Sequence, residues 1–363
     1  MKVRYLNLSV IDIDQRRELM EAIEKVLIHG QIVLGPEVTE FEDNFAKFCG
    51  SPYAVGVNSG TDALYLGLKA LDIGPGDEVI TSNMSFVASA NAIVLTGAIP
   101  ILADVLDDFN MDPKSVESLI TSNTRLIMPV HYAGKMMNMT SICEIAKKHN
   151  IQIMEDASQA FGATLEGIPA GTFGPLGCIS LNPMKLLAGI GEAGVVLVKD
   201  EDLRDRLVAL RYNGLIDRKH CHLISTNGRL DTLQAAILIK RLSRVTAIIE
   251  RRREIAAYYH ERLQHLVVCP IEEVGTKHVY YSYTILTSFR DELKAFLESK
   301  NIEVKINHPV IMDEPAYRGH VIGEGDNARR LFAQKLALPC HEKMSDKEIE
   351  YVAASVCEFI NNQ

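Results

Sequence analysis

The chain has 363 residues, 47% hydrophobic and 23% charged, a composition that suits a folded protein and excludes disordered and collagen-like classes. A formal net charge of −9 argues against nucleic acid or an anionic membrane as partner, because both are held by clustered Lys and Arg. The seven cysteines are odd in number and form no C-x-x-C pair, which implies reduced thiols. There is no signal-peptide core and no apolar run of transmembrane length, so a cytoplasmic, unanchored chain is expected.

Taken in chain order, Gln15–His29 spaces Leu19, Ile23, Val26 and Leu27 at helical intervals, and Pro36–Cys49 repeats the pattern with Val38, Phe41, Phe45 and Phe48. The glycine-bounded segment Gly30–Gly35 between them is either a plain connector or a loop that closes over a ligand. Ala54–Asn58 reads as a strand, and Asn58-Ser59-Gly60-Thr61-Asp62 leads into the helical run Ala63–Leu71. Glycine beside hydroxyl residues at a helix start offers free N–H groups and a favourable dipole, hence a phosphate site; alone it would be an ordinary N-cap.

Strands at Glu78–Thr81, Pro100–Val105, Arg125–Val130 and Ile151–Met154 then alternate with helices at Phe86–Leu95, Ser115–Ile120 and Ser141–His149. The fold class is therefore α/β, a mostly parallel sheet between helices. Phe86 opens its helix just past a strand's carboxyl end, where its ring can stack on a flat ligand, although a single aromatic is more often core. His131 and Tyr132 follow the next strand on the same rim, as candidates for substrate contact.

The fourth of these strands runs into Glu155-Asp156, and a carboxylate at the carboxyl end of a buried strand is placed where open α/β sheets bind ligands. Further on, Lys185 lies in a loop flanked by Pro183, Gly189 and Gly191. Pyridoxal phosphate needs such a pair, an amine for the Schiff base and a carboxylate to keep the pyridine nitrogen protonated. The pair alone is more often coincidence. The run Gly189-Ile190-Gly191-Glu192-Ala193-Gly194 matches the G-x-G-x-x-G dinucleotide pattern. It enters the β-branched run Val195–Val198 rather than opening a helix, so a tight turn between strands is expected.

Beyond Val198, Glu201–Tyr212 reads as a helix and Leu230–His265 as a long helical run broken once. Between them stand His220, Cys221 and His222. Adjacent residues cannot converge on one ion unaided, so no metal is expected. Asn227 and Arg229 open the long run as polar groups suited to an anion, and Arg251-Arg252-Arg253 reads as a solvated helix face. The last third restarts a β/α pattern with Tyr280–Leu286, Arg290–Ser299, Val304–Asn307 and Asp346–Asn361. We expect a large domain over 1–245 and a smaller α+β domain over 246–363, with the cofactor in the cleft.

These motifs, in this order, resemble the DegT/StrS sugar aminotransferases: Gly35-Pro36-Glu37-Val38, Asn58–Leu64, Gly74–Ile80, Glu155–Ala160, Pro183-Met184-Lys185 and Asn227–Ala236. The resemblance spans nearly the whole chain and implies the aspartate-aminotransferase fold with pyridoxal 5'-phosphate. It makes Lys185 the Schiff-base lysine and general base, Asp156 the partner of the pyridine nitrogen, and Gln159 a donor to the ring hydroxyl. Ser59, Gly60, Thr61 and Ser180 would hold the phosphate, Phe86 would stack on the ring, and Asn227 would reach the neighbouring subunit's phosphate in a homodimer with shared sites. Arg229 and His308 join His131 and Tyr132 as substrate candidates.

The reaction that the resemblance implies moves an amino group from glutamate or glutamine, through pyridoxamine phosphate, to a nucleotide-linked keto-sugar. Two alternatives are a dehydratase of the same family, which has histidine in place of the lysine, and a non-catalytic cofactor-binding regulator. The sequence departs from the family pattern at Ser180-Leu181, Asn182-Pro183, Pro175, Ala193-Gly194 and Asn307-His308-Pro309. These departures spare the cofactor residues and fall where the sugar pocket is implied.

Overall fold

Helices start where short oxygen-bearing side chains precede apolar runs. Asp12, Ser59, Asp112, Asn138, Asp200 and Ser345 each accept a backbone N–H of the first turn. The computed structural model describes residues 1–217 and 219–363. Its helices are α1 (Ile13–His29), α2 (Pro36–Cys49), α3 (Gly60–Ala70), α4 (Ala88–Thr96), α5 (Pro113–Ser118), α6 (Met139–His149), α7 (Glu201–Leu210), α8 (Thr232–Leu242), α9 (Val245–Leu263), α10 (Arg290–Ser299), α11 (Asp326–Gln334) and α12 (Asp346–Ile360). Its strands are β1 (Tyr53–Val57), β2 (Glu78–Ser82), β3 (Ile99–Ala103), β4 (Thr124–Met128), β5 (Gln152–Asp156), β6 (Thr164–Leu165), β7 (Ile168–Pro169), β8 (Leu176–Ser180), β9 (Gly194–Val198), β10 (Thr276–Lys277), β11 (Tyr283–Leu286), β12 (Ile322–Gly323) and β13 (Lys335–Leu338).

Eight strands form one sheet in the order β1-β9-β8-β5-β4-β2-β3-β12, in which β9 runs against the other seven. Every residue of β2, β8 and β9 is buried. That fits strands covered on both faces, and explains why they read as continuous apolar runs rather than alternating ones. The parallel strands β2, β4, β5 and β8 therefore end on one rim, at Ser82, Met128, Asp156 and Ser180.

A second core gathers Tyr259, Tyr283, Leu297 and Val352 around the β11–β13 pair. Helix α9 spans both cores, with Val245 and Ile249 in the first and Ile255 to Leu263 in the second. The chain also crosses between them: Val3 bridges Ile302 in the second core, while Ile322–Gly323 adds an edge strand to the large sheet.

Several expectations are corrected. Val304–Asn307 is not a strand; only Lys305 bridges Ala337. Asn307 instead spends its amide on Tyr5 and Ser282, and His308, at φ 44°, turns the chain away. The glycine-rich stretch is no tight turn but the end of a longer loop joining β8 to β9. Gln234 holds that loop through the N–H and carbonyl of Ile190. The three arginines are not a solvated face: Arg252 is buried, Arg251 binds Asp346 and Arg253 binds Glu272. The Gly30–Gly35 segment is tied to the start of α8, with Gly35 N–H on Thr232 Oγ1 at 2.9 Å and Thr232 N–H on the Ile32 carbonyl at 3.0 Å.

Candidate active site

At the rim, Ser59 caps α3. Its Oγ accepts the Asp62 N–H at 3.0 Å and its carbonyl accepts the Ala63 N–H at 3.0 Å. The amides of Gly60 and Thr61 have no carbonyl to reach within the helix, and they border a cavity of about 290 Å³. A Cβ on Gly60 would stand 2.5 Å from Ser180 Cβ, and one on Gly194 would stand 2.3 Å from the Ser59 carbonyl oxygen. The close approach of α3 to the ends of β8 and β9 thus needs glycine at these two positions. Ala193, in place of the family's first glycine, is simply buried.

Asp156 sits at the end of β5, 4% exposed. Its Oδ2 accepts the Ser89 hydroxyl at 2.7 Å and its Oδ1 accepts the Ser158 N–H at 3.1 Å. Ser85 continues the chain, 2.7 Å from Ser89. A buried carboxylate held by two donors is poised to meet a cation. Gln159 Oε1 accepts the Ala133 N–H at 2.9 Å, so its amide nitrogen is the group left for the cavity. Lys185 follows Asn182, whose carbonyl accepts the Lys185 N–H and whose side-chain oxygen accepts that of Met184. Lys185 Nζ lies 4.3 Å from the centre of the Tyr281 ring.

Phe86 precedes α4 rather than opening it, and its ring is 54% exposed, so it is not core. It leans on His308 with ring centroids 5.5 Å apart. Burial first, and then the charges of Lys185, Lys335 and Lys305, push the His308 imidazole down to about 3, so it is neutral at pH 7.

His131 and Tyr132 are corrected. His131 is fully buried and accepts the Met137 N–H at Nδ1, so its Nε2–H donates to Glu155 Oε2 at 2.9 Å. Glu155 also accepts the N–H groups of Gly171, Phe173 and Gly174. This is an internal tie with nothing left for a substrate. Tyr132 is buried and lines a separate cavity of about 170 Å³, with its hydroxyl 3.1 Å from Lys335 Nζ. Arg229 lies over Tyr212 and donates to Asn227 Oδ1 at 2.8 Å; Asn227 is exposed, and neither lines the cavity of its own chain. Asp217, His220 and His222 bring ligand atoms within 4.8 Å of one another on an exposed loop, while Cys221 turns to the Asn213 and Leu223 carbonyls.

Sequence reasoning missed Ser85, Ser89, Asn182, Glu192 and Tyr281, all of which line the cavity. Serines inside an apolar helix, such as Ser89 in α4, were the one available signal.

Pyridoxal phosphate fits this arrangement. The cradle at Gly60 is open only because no Cβ fills it, the carboxylate is buried among donors, and Gln159 keeps an unspent amide. Fold and site together place the chain among pyridoxal-phosphate-dependent transferases of the aspartate-aminotransferase type. More narrowly, it belongs to the DegT/DnrJ/EryC1/StrS aminotransferase family, which matches residues 13–357.

Among its relatives, "Pleiotropic regulatory protein" of Geobacillus stearothermophilus is 34% identical, with 99% of each chain covered. The dTDP-3-amino-3,4,6-trideoxy-alpha-D-glucose transaminase of Streptomyces venezuelae is 38% identical over 93% of this chain and 91% of its own. The crystal structure of S. venezuelae DesV superposes with a TM-score of 0.95 at 37% identity, covering 99% of this chain and 98% of that one.

Proposed function

We propose that the chain transfers an amino group from glutamate or glutamine to a nucleotide-linked keto-sugar, as a homodimer in which Asn227 and Arg229 serve the partner's cavity. The observation that carries this reading is the convergence of Lys185, Asp156 and the α3 N-terminus on one cavity. The transaminase name of the Streptomyces relative supports the sugar.

Bound pyridoxal phosphate supplies an electron sink for the bond that breaks at the amine-bearing carbon. The α3 amides and Ser180 would hold its phosphate, Phe86 would cover its ring, and Asp156, whose carboxylate Ser89 and Ser158 orient, would keep the ring nitrogen protonated. Lys185 Nζ would anchor the cofactor. Its amine, once free, would serve as the base that takes the proton from the donor's α-carbon, and the same amine would move a proton for the keto-sugar.

Lys185 stands where the dehydratase branch has histidine, which favours amino transfer. The regulator suggested by the Geobacillus relative's name would leave the cavity groups idle. The test is to load the protein with cofactor, add glutamate and then a panel of nucleotide-linked keto-sugars, and read amino-sugar products by mass spectrometry. Product from wild type and none from Lys185→Ala is expected; equal product from both sinks the proposal.

A further inference from the structure

Next to the first cavity lies a second, of about 130 Å³, that shares Met184, Tyr281 and His308 with it. A single water needs only about 10–15 Å³, so a small organic group fits. Its lining is chemically one-sided. Lys305 and Arg252 supply positive charge, Tyr5, Ser282 and Asn307 supply polar groups, and none of its lining residues is acidic. Leu6, Met184 and Leu338 form an apolar wall.

The polar groups are organised. Asn307 donates to the Tyr5 hydroxyl at 3.1 Å and to Ser282 Oγ at 3.2 Å, and Lys305 Nζ rests over the Tyr5 ring at 4.9 Å. Arg252 is 3% exposed. Its Nη1 donates to the Tyr280 and Tyr281 carbonyls, its Nη2 lies 3.5 Å from Glu342, and its buried Nε has no partner, so its charge is only partly compensated. Burial, with smaller contributions from Lys185, Lys335 and Lys305, keeps the neighbouring His308 imidazole neutral.

Resting on the aminotransferase reading, we propose that this cavity is a carboxylate subsite, where Lys305 and the Tyr5 hydroxyl, oriented by the Asn307 amide, hold the acid group of the molecule whose reacting carbon stands at Lys185. The apolar wall takes the short aliphatic arm or ring edge that links the two. Two sources offer that chemistry, the side-chain carboxylate of the amino donor and a carboxylate on the sugar.

The test uses cofactor-loaded wild type, Lys305→Gln and Lys305→Arg, with folding checked by circular dichroism. Lys305 is exposed, so neither substitution burdens the core. Glutarate, a dicarboxylate without an amine, is titrated by calorimetry. K305Q is expected to weaken it roughly ten- to a hundredfold, the scale of one charge-assisted hydrogen bond, and K305R to restore it.

Half-reactions then identify the source. A tenfold rise in KM for glutamate but not glutamine, with kcat within twofold, assigns the donor. The same rise confined to a nucleotide-linked keto-uronate assigns the sugar. Unchanged glutarate binding and unchanged KM in both arms overturn the subsite. Glutarate binding that depends on Lys305 in a protein with no amino transfer would instead overturn the aminotransferase reading alone.

Discussion

Gly194→Ala tests the geometry of the phosphate cradle. The added Cβ would meet the Ser59 carbonyl oxygen at 2.3 Å, and ordinary contact begins near 3.4 Å, so the start of α3 must retreat by about 1 Å. Neither side yields easily, since Gly194 opens a fully buried strand and Ser59 caps the helix. Overpacking of this kind costs about 1–3 kcal/mol of stability. The retreat also carries the Gly60 and Thr61 amides away from the phosphate. Losing one charge-assisted bond costs about 1.5–3 kcal/mol, or roughly ten- to a hundredfold in cofactor Kd. Urea unfolding reads the first effect, and absorption titration with pyridoxal phosphate reads the second. Gly74→Ala is the control, because its nearest neighbour stands 3.9 Å away. A G194A protein that binds cofactor as tightly as G74A would refute the cradle.

Lys335 is 1% exposed, and burial lowers its amine from 10.5 to about 7. Between those values the unfolded chain binds a proton that the folded chain does not, so this lysine makes stability rise with pH across that window. Lys335→Met should remove a slope of up to about 1.4 kcal/mol per pH unit, measured by urea unfolding at pH 7.5 and 9.5; parallel slopes in the two proteins contradict this. Phe86→Ala should change stability by less than about 0.5 kcal/mol yet weaken cofactor binding roughly two- to tenfold, because the residue is exposed and lines the cavity. His131→Ala should cost about 1–3 kcal/mol by removing one of the four donors to the buried Glu155 carboxylate, while leaving the KM of the sugar unchanged; a raised KM would return His131 to the substrate.

The parallel sheet and the cofactor side of the cavity were legible because they rest on local signals. Apolar runs ending in Asp156, hydroxyls before α3 and glycines around Lys185 each have a meaning within a few residues. What failed depended on partners distant in sequence. His131 reads as a rim residue until Glu155 and the loop at Gly171–Gly174 enclose it. Arg252 reads as surface until the Tyr280 and Tyr281 carbonyls meet it across the fold. Val304–Asn307 has the composition of a strand, but β13 pairs with β11 and Asn307 binds Tyr5 near the other end of the chain. Ser89 showed only as a serine within an apolar helix, because its hydroxyl matters through Asp156, far away in sequence at the end of β5.

The central claim is that Lys185 holds the cofactor covalently in the cavity it shares with Asp156. The most direct measurement is the visible absorption spectrum of the cofactor-loaded protein, followed by borohydride reduction, proteolysis and peptide mass spectrometry. The account predicts a visible band that glutamate bleaches, and one modified peptide, labelled at Lys185. A label on another lysine, or no band with excess pyridoxal phosphate, would contradict it.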